Sequence, residues 1–167
     1  MEIKRVSLLD FEQVLTIYKD AIANMQVNRI FQLDELYPNE AILQEDILKE
    51  QLYAGMVHHE MASVFVLNKA FDPEYLQAQW EYTGDAFIVL HRICVRVAFQ
   101  HKGIGTKTME MIEEKMKHEG LQAIRLDAFS ENPYALQMYH TLGYKKVGEA
   151  RWRKGLFYIL EKRLEKE

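Results

Sequence analysis

Apolar residues recur at helical spacing after Asp10, at Phe11, Val14, Leu15, Tyr18 and Ile22. This is the stripe of an amphipathic helix, with Asp10 placed to cap it. Ile3 to Val6 predicts a short strand ahead of it. Met25 to Tyr37 has no clear period and reads as a loop or irregular helix. Asn39, following Pro38, is predicted to cap a second helix running to about Leu48. The period then changes. Leu52 to His58 and Met61 to Asn68 predict two strands of a hairpin that turns around His59-Glu60. Phe71 to Gly84 predicts a short helical turn and loop. Ala86 to Val97 carries apolar residues on both parities, with Phe87, Val89, Ile93 and Val95 on one and Ile88, Leu90 and Cys94 on the other. A strand buried on both faces lies centrally in its sheet.

A helix is predicted to follow the glycine-containing loop, with Ile104, Met109, Ile112 and Met116 on one face and Gly120 at its end. Gln122 to Ala128 reads as a strand. Asn132-Pro133 opens another helix, a cap followed by a first-turn proline, and Gly143 ends it. Tyr144 to Glu149 and Leu156 to Leu160 complete the strands. The order β-α-α-β-β-β-α-β-α-β-β predicts an α/β (α+β) fold with one mixed sheet.

Composition narrows the picture little. The chain has 167 residues, 49% of them hydrophobic and 28% charged, which predicts one domain over 1–167. The net charge of −4 gives no basic field for nucleic acid. No stretch is apolar for the length of a membrane span, and the first residues lack the pattern of a leader peptide. The single cysteine, Cys94, permits no internal disulfide, and no ligand spacing suggests a metal. His58-His59 has no partner pattern of that kind. A cytoplasmic protein is expected.

Chemistry concentrates in QHKGIGTKTMEM, Gln100 to Met111. Backbone N–H groups bunched at a helix start form an anion cradle. Two familiar cradles fail on residues. A P-loop needs four residues between its glycines and a following Lys-Ser/Thr. A dinucleotide fingerprint needs a third glycine, where Thr108 stands. A strand-to-helix turn with a glycine start and no ligand remains the plain alternative.

Gln100-His101-Lys102-Gly103-Ile104-Gly105 resembles the acetyl-CoA loop of the GCN5-related N-acetyltransferase (GNAT) superfamily, Arg/Gln-x-x-Gly-x-Gly/Ala. LHRICV, Leu90 to Val95, resembles that family's central strand. NPYALQMYHTLGY, Asn132 to Tyr144, resembles its second signature, Asn-x-x-Ala-x-x-x-Tyr-x-x-x-Gly-Phe/Tyr. Val97 stands where many relatives have proline, and Gln100 brings no charge where others have arginine.

The resemblance implies a GNAT-like domain whose mostly antiparallel sheet is flanked by helices. It implies acetyl-CoA as co-substrate, an amine acceptor, and often a homodimer. It places the pyrophosphate on Gln100, His101, Lys102, Gly103, Ile104, Gly105 and Thr106, and pantetheine against the backbone of Ile93, Cys94 and Val95. Asn132 lies near the CoA arm, besides its reading as an N-cap. Tyr139 matches the tyrosine that protonates the departing thiolate. On helical spacing alone it is equally a core aromatic. An amine acceptor with pKa near 10 must also lose a proton, at a cost of about 4 kcal/mol near neutrality. His91, Glu81 and Asp34 are the candidate bases, with His91 first because of its reference pKa. The segment Arg29 to Pro38 corresponds to the loop that shapes the acceptor site in this family. Gln32, Asp34 and Tyr37 are expected to line it, with Trp80 and Tyr82 as a facing wall, while Trp152 and Phe157 are expected to pack. A non-catalytic acetyl-CoA-binding regulatory module on the same fold is the alternative function.

Overall fold

The computed structural model describes residues 1–34 and 37–165. Glu35 and Leu36, within the expected acceptor segment, and the last two residues lie outside the described part. Seven strands form a sheet in the order β1-β2-β3-β4-β5-β7-β6. They are β1 (Glu2–Arg5), β2 (Leu52–Val57), β3 (Glu60–Asn68), β4 (Phe87–Val95), β5 (Ala123–Phe129), β6 (Lys145–Trp152) and β7 (Gly155–Arg163). The helices are α1 (Phe11–Val27), α2 (Glu40–Leu48), α3 (Ile104–His118) and α4 (Pro133–Thr141). The element order is the one the sequence predicts. Pairing is antiparallel between β1 and β2, β2 and β3, β5 and β7, and β6 and β7. It is parallel between β4 and β5, over Phe87–Val89 against Ala123–Arg125.

The chain divides into two compact units, and β4 and α3 each contribute to both. The first holds residues 1–67 and 92–111; the second holds 68–91 and 112–167. In the first, Val14, Ile17 and Tyr18 of α1 pack with Leu43 and Ile47 of α2, Leu52 and Ala54 of β2, Val64 and Val66 of β3, and Cys94 of β4. Each valine, leucine or isoleucine among them taken fully out of water contributes roughly 1.5–3 kcal/mol before entropy is charged. In the second, Tyr75, Val89, Ala150 and Ile159 form a core that Trp80, Phe87, Val147 and Trp152 complete. Trp152 and Phe157 pack ring to ring, 5.1 Å between centroids.

Several boundaries differ from expectation. Asp10 stands at the start of α1 but makes no side-chain cap there; its carboxylate accepts from the Ser7 amide at 3.2 Å instead. The helix α1 continues to Val27, past Met25, because a helix propagates on backbone bonds and needs no apolar stripe in its last turn. Asn28 Nδ2 closes that turn on Asn24 O at 2.9 Å. The β2–β3 hairpin turns at His58-His59, not His59-Glu60. Val57 pairs with Glu60, and both histidines have positive φ, 48° and 66°. The last two strands run further than the apolar alternation suggested and meet at Trp152↔Gly155.

Candidate functional site

The glycine loop lies in the first unit. β4 ends at Val95, a one-turn 3-10 helix follows at Val97–Phe99, and α3 begins at Ile104. His101 and Gly103 have φ of 60° and 76°, the left-handed region that turns the chain into the helix. The Lys107 amide bonds Gly103 O at 3.0 Å. The amides of Ile104, Gly105 and Thr106 thus precede the helix's own bonding pattern and present donors and the positive end of the dipole. A Cβ placed on Gly103 meets nothing within 4 Å, so the loop is open at this position. Lys102 is exposed, its Nζ 3.3 Å from Ala98 O; His101 is exposed beside it. The chemistry of this donor set, backbone N–H with a rim cation, fits a pyrophosphate. Gln100 does something else: its Nε2 donates to Val95 O at 3.2 Å and its Oε1 accepts from Asn24 Nδ2 at 3.0 Å. It ties the loop to the end of β4 and to α1.

Ile93, Cys94 and Val95 are the last residues of β4. Cys94 is buried, and burial pushes its thiol up to about 12, which makes it a packing residue and no nucleophile. Arg92, just before, has φ 52°. A bulky residue in that region costs on the order of 1–3 kcal/mol and persists only where its surroundings hold it. Its carbonyl accepts Tyr18 Oη at 2.5 Å. Its guanidinium donates to Asp46 from Nε at 2.9 Å and Nη2 at 2.7 Å, and to Tyr37 Oη from Nη1 at 2.8 Å. Burial raises the Asp46 carboxyl against the opposing pull of Arg92.

Asp34 and Tyr37, from the expected acceptor segment, close on each other through backbone bonds of 3.1 and 3.2 Å. Asp34 Oδ1 also accepts from the Tyr37 amide at 3.2 Å. Gln32 is half-buried in the same unit.

The other candidates lie in the second unit. Asn132 caps α4, its Oδ1 accepting from Ala135 N at 3.2 Å, with Pro133 in the first turn. Tyr139 is buried, its ring edge-on to Tyr144 at 5.5 Å. Burial, and then the Asp127 carboxyl, raise its phenol above the usual value. Tyr144 is anchored in turn: its Oη donates to Glu113 Oε1 at 3.1 Å, and Lys162 Nζ donates to Glu113 Oε2 at 2.7 Å. Asp127 accepts from Tyr75 Oη at 2.7 Å, and burial raises it to about 6.

His91 Nε2 lies 2.7 Å from Asn68 Oδ1, which also accepts the Ala70 amide at 2.9 Å. The amide donor identifies that atom as oxygen, so Nε2 is the donor in this contact. Glu81 is half-exposed and pairs with Lys145 Nζ at 3.3 Å. Trp80 and Tyr82 are each tied by a hydrogen bond: Trp80 Nε1 donates to Tyr75 O at 2.9 Å, and Arg125 Nη2 donates to the Tyr82 backbone carbonyl at 2.6 Å. The Arg125 guanidinium lies 4.0 Å from the Trp80 ring centre and 3.9 Å from that of Phe87.

The structure thus gathers the loop, the end of β4, Asp34 and Tyr37 in one unit, and Tyr139, His91, Asn132 and Glu81 in the other. Sequence reasoning passed over Arg92, Asp46 and Tyr75, and read Tyr18 only as part of the α1 stripe. Two signals existed: an arginine inside an apolar central strand needs a partner, and Asp46 falls on the same helical face as Leu43 and Ile47. Among the described residues no cluster of three metal-ligating side chains occurs, and no helix is long and apolar enough to cross a membrane.

No curated protein matches the sequence. Among solved structures, the fold is similar to a GNAT-family acetyltransferase from Streptococcus agalactiae 2603, with TM-score 0.87, 19% identity, and 99% of this chain and 96% of that one covered. It is also similar to the ribosomal-protein-S18-alanine N-acetyltransferase of Escherichia coli, with TM-score 0.73, 14% identity, and coverage of 99% and 95%. A third is the PaiA N-acetyltransferase of Thermoplasma acidophilum in complex with coenzyme A, with TM-score 0.68, 17% identity, and coverage of 97% and 98%. Residues 27–144 match the sequence model of the acetyltransferase (GNAT) family. That span is most of the chain, and the protein belongs to this family.

Proposed function

We propose that the chain is an acetyl-CoA-dependent N-acetyltransferase that moves an acetyl group to a primary amine by direct attack in a ternary complex. The observation that carries this reading is the Gln100–Gly105 loop: left-handed turns at His101 and Gly103, open space at Gly103, and the first-turn amides of α3. Two neighbours of the same fold are N-acetyltransferases by name, and one was solved with coenzyme A. Acetyl-CoA supplies an acetyl thioester when bound. The chain's residues do the rest. The amides of Ile104 to Thr106 and Lys102 hold pyrophosphate charge. The backbone of Ile93 to Val95 lies along the pantetheine arm, with the Val95 carbonyl already engaged by Gln100.

In the transfer, the amine nitrogen forms a bond to the acetyl carbon and the carbon–sulfur bond breaks. Tyr139 donates its phenolic proton to sulfur, and His91 takes the ammonium proton. The raised Tyr139 phenol keeps its proton at neutral pH. Transfer to a thiolate whose acid has pKa near 8.5 is then uphill. The hydroxyl therefore acts as a hydrogen-bond donor to the charge growing on sulfur, releasing the proton as the carbon–sulfur bond breaks. The acceptor is a small or peptide amine. The net charge of −4 gives cationic amines such as polyamines a mild advantage in encounter. The test is an amine panel followed by thiol release, with acetyl-CoA binding measured by calorimetry. A chain that binds acetyl-CoA yet acetylates no amine is a regulatory module instead.

A further inference from the structure

Arg92 joins three parts of the first unit through one side chain and one carbonyl. The carbonyl, displaced by the left-handed φ of 52°, is taken by Tyr18 of α1 at 2.5 Å. The guanidinium makes a two-point pair with Asp46 of α2, at 2.9 and 2.7 Å. A planar fork on a carboxylate fixes orientation as well as distance. The side chains are 11% and 8% exposed, so water competes weakly for the pair. With both ends fixed, the remaining arm, Nη1, points at Tyr37 Oη at 2.8 Å. The ring of Tyr37 lies 5.6 Å from the guanidinium carbon. Tyr37 then holds Asp34 through their reciprocal backbone bonds. The cation is matched by Asp46 inside the cluster, so it does not oppose an arriving ammonium.

We infer that Arg92 is a positioning residue for the acceptor amine. Clamped by Asp46 and Tyr18, it sets Tyr37, and through it Asp34, as the polar surface that the amine meets. This inference rests on the proposed acetyl transfer and names which residues of the chain carry its acceptor recognition. A purely structural ion pair would lower stability when broken and leave acceptor KM alone.

The test uses the full chain as Tyr37→Phe, Arg92→Lys and Asp46→Asn. It measures acceptor KM and kcat with an amine that the wild type acetylates, acetyl-CoA Kd by calorimetry, and hydrogen exchange over residues 31–38 without substrates. Tyr37→Phe and Arg92→Lys are expected to raise acceptor KM roughly 10-fold while acetyl-CoA Kd stays within about twofold, since a misplaced contact costs encounter geometry at one substrate only. Exchange over 31–38 is expected to quicken in all three. Unchanged acceptor KM in Tyr37→Phe overturns the inference whether or not exchange quickens, as does a rise confined to acetyl-CoA Kd. Tyr37→Phe removes a single hydroxyl from an exposed ring, so it decides the matter even if Arg92→Lys fails to fold. If the wild type acetylates no amine, the proposed function falls. Exchange then still decides whether Arg92 holds the segment, so the two failures are told apart.

Discussion

At the scale of single residues, Tyr139 and Asp127 have burial in common but differ in consequence. Tyr139 is held protonated, its ring fixed edge-on to Tyr144, which Glu113 and Lys162 anchor in turn. Tyr139→Phe keeps the ring and loses only the donor. It is expected to lower kcat roughly 100-fold and to leave acetyl-CoA Kd within about threefold, read by thiol release and calorimetry. Asp127 titrates near 6 in the folded chain, against about 3.9 when unfolded. Between those values the unfolded chain has lost its proton and the folded chain has kept it. Stability from this group is therefore full below about pH 4 and is lost as pH rises through about 6, by about 3 kcal/mol. In Asp127→Asn that dependence is expected to vanish. Denaturant titrations of the two proteins from pH 4 to pH 8 check it, and their stability difference should shift toward the variant as pH rises.

At the scale of elements, the helix and strand cores were legible because their apolar period is written in adjacent residues. The stripe Phe11, Val14, Leu15, Tyr18 gave α1, and the two-sided run Phe87 to Val95 gave β4. The turn into α3 was legible too, because its left-handed φ of 76° favours the glycine found at Gly103. Boundaries were not. Arg151, Arg153 and Lys154 interrupt the alternation at the β6–β7 turn, although backbone pairing continues to Trp152↔Gly155. The tip of the β2–β3 hairpin was displaced by one residue because histidine is not a usual turn residue. With φ of 48° and 66° at His58 and His59, this turn has the pattern that an asparagine followed by a glycine satisfies best. The double variant His58→Asn, His59→Gly should stabilise the chain by about 1 kcal/mol, measured as a higher denaturation midpoint. In the loop, Gly103→Ala places a Cβ at φ 76° in open space, on the side that the proposed acetyl-CoA would occupy. It is expected to weaken acetyl-CoA roughly 10-fold in calorimetry, from strain of about 1 kcal/mol plus intrusion on the anion.

At the scale of the whole molecule, the order of elements and the two signature stretches were enough to place the fold, and the family follows from the match over residues 27–144. The Arg92–Asp46 clamp was hidden for a different reason. Its partners are 46 positions apart, and nothing local marks which acid an interior arginine will find. In the proposed reaction, donor recognition would fall to backbone at glycines and a helix start, which a sequence displays. Acceptor recognition would fall to side chains brought together only by folding. The proposed activity is an attribute of the intact chain, and one measurement reaches it most directly. The wild-type protein is incubated with acetyl-CoA and a panel of polyamines, amino acids, aminoglycosides and peptides, with free thiol followed over time and the amine products weighed by mass spectrometry. Thiol release that depends on one class of amine is expected, matched by the mass gain of one acetyl group on that amine. Binding of acetyl-CoA with neither thiol release nor acetylated product would overturn the proposed activity.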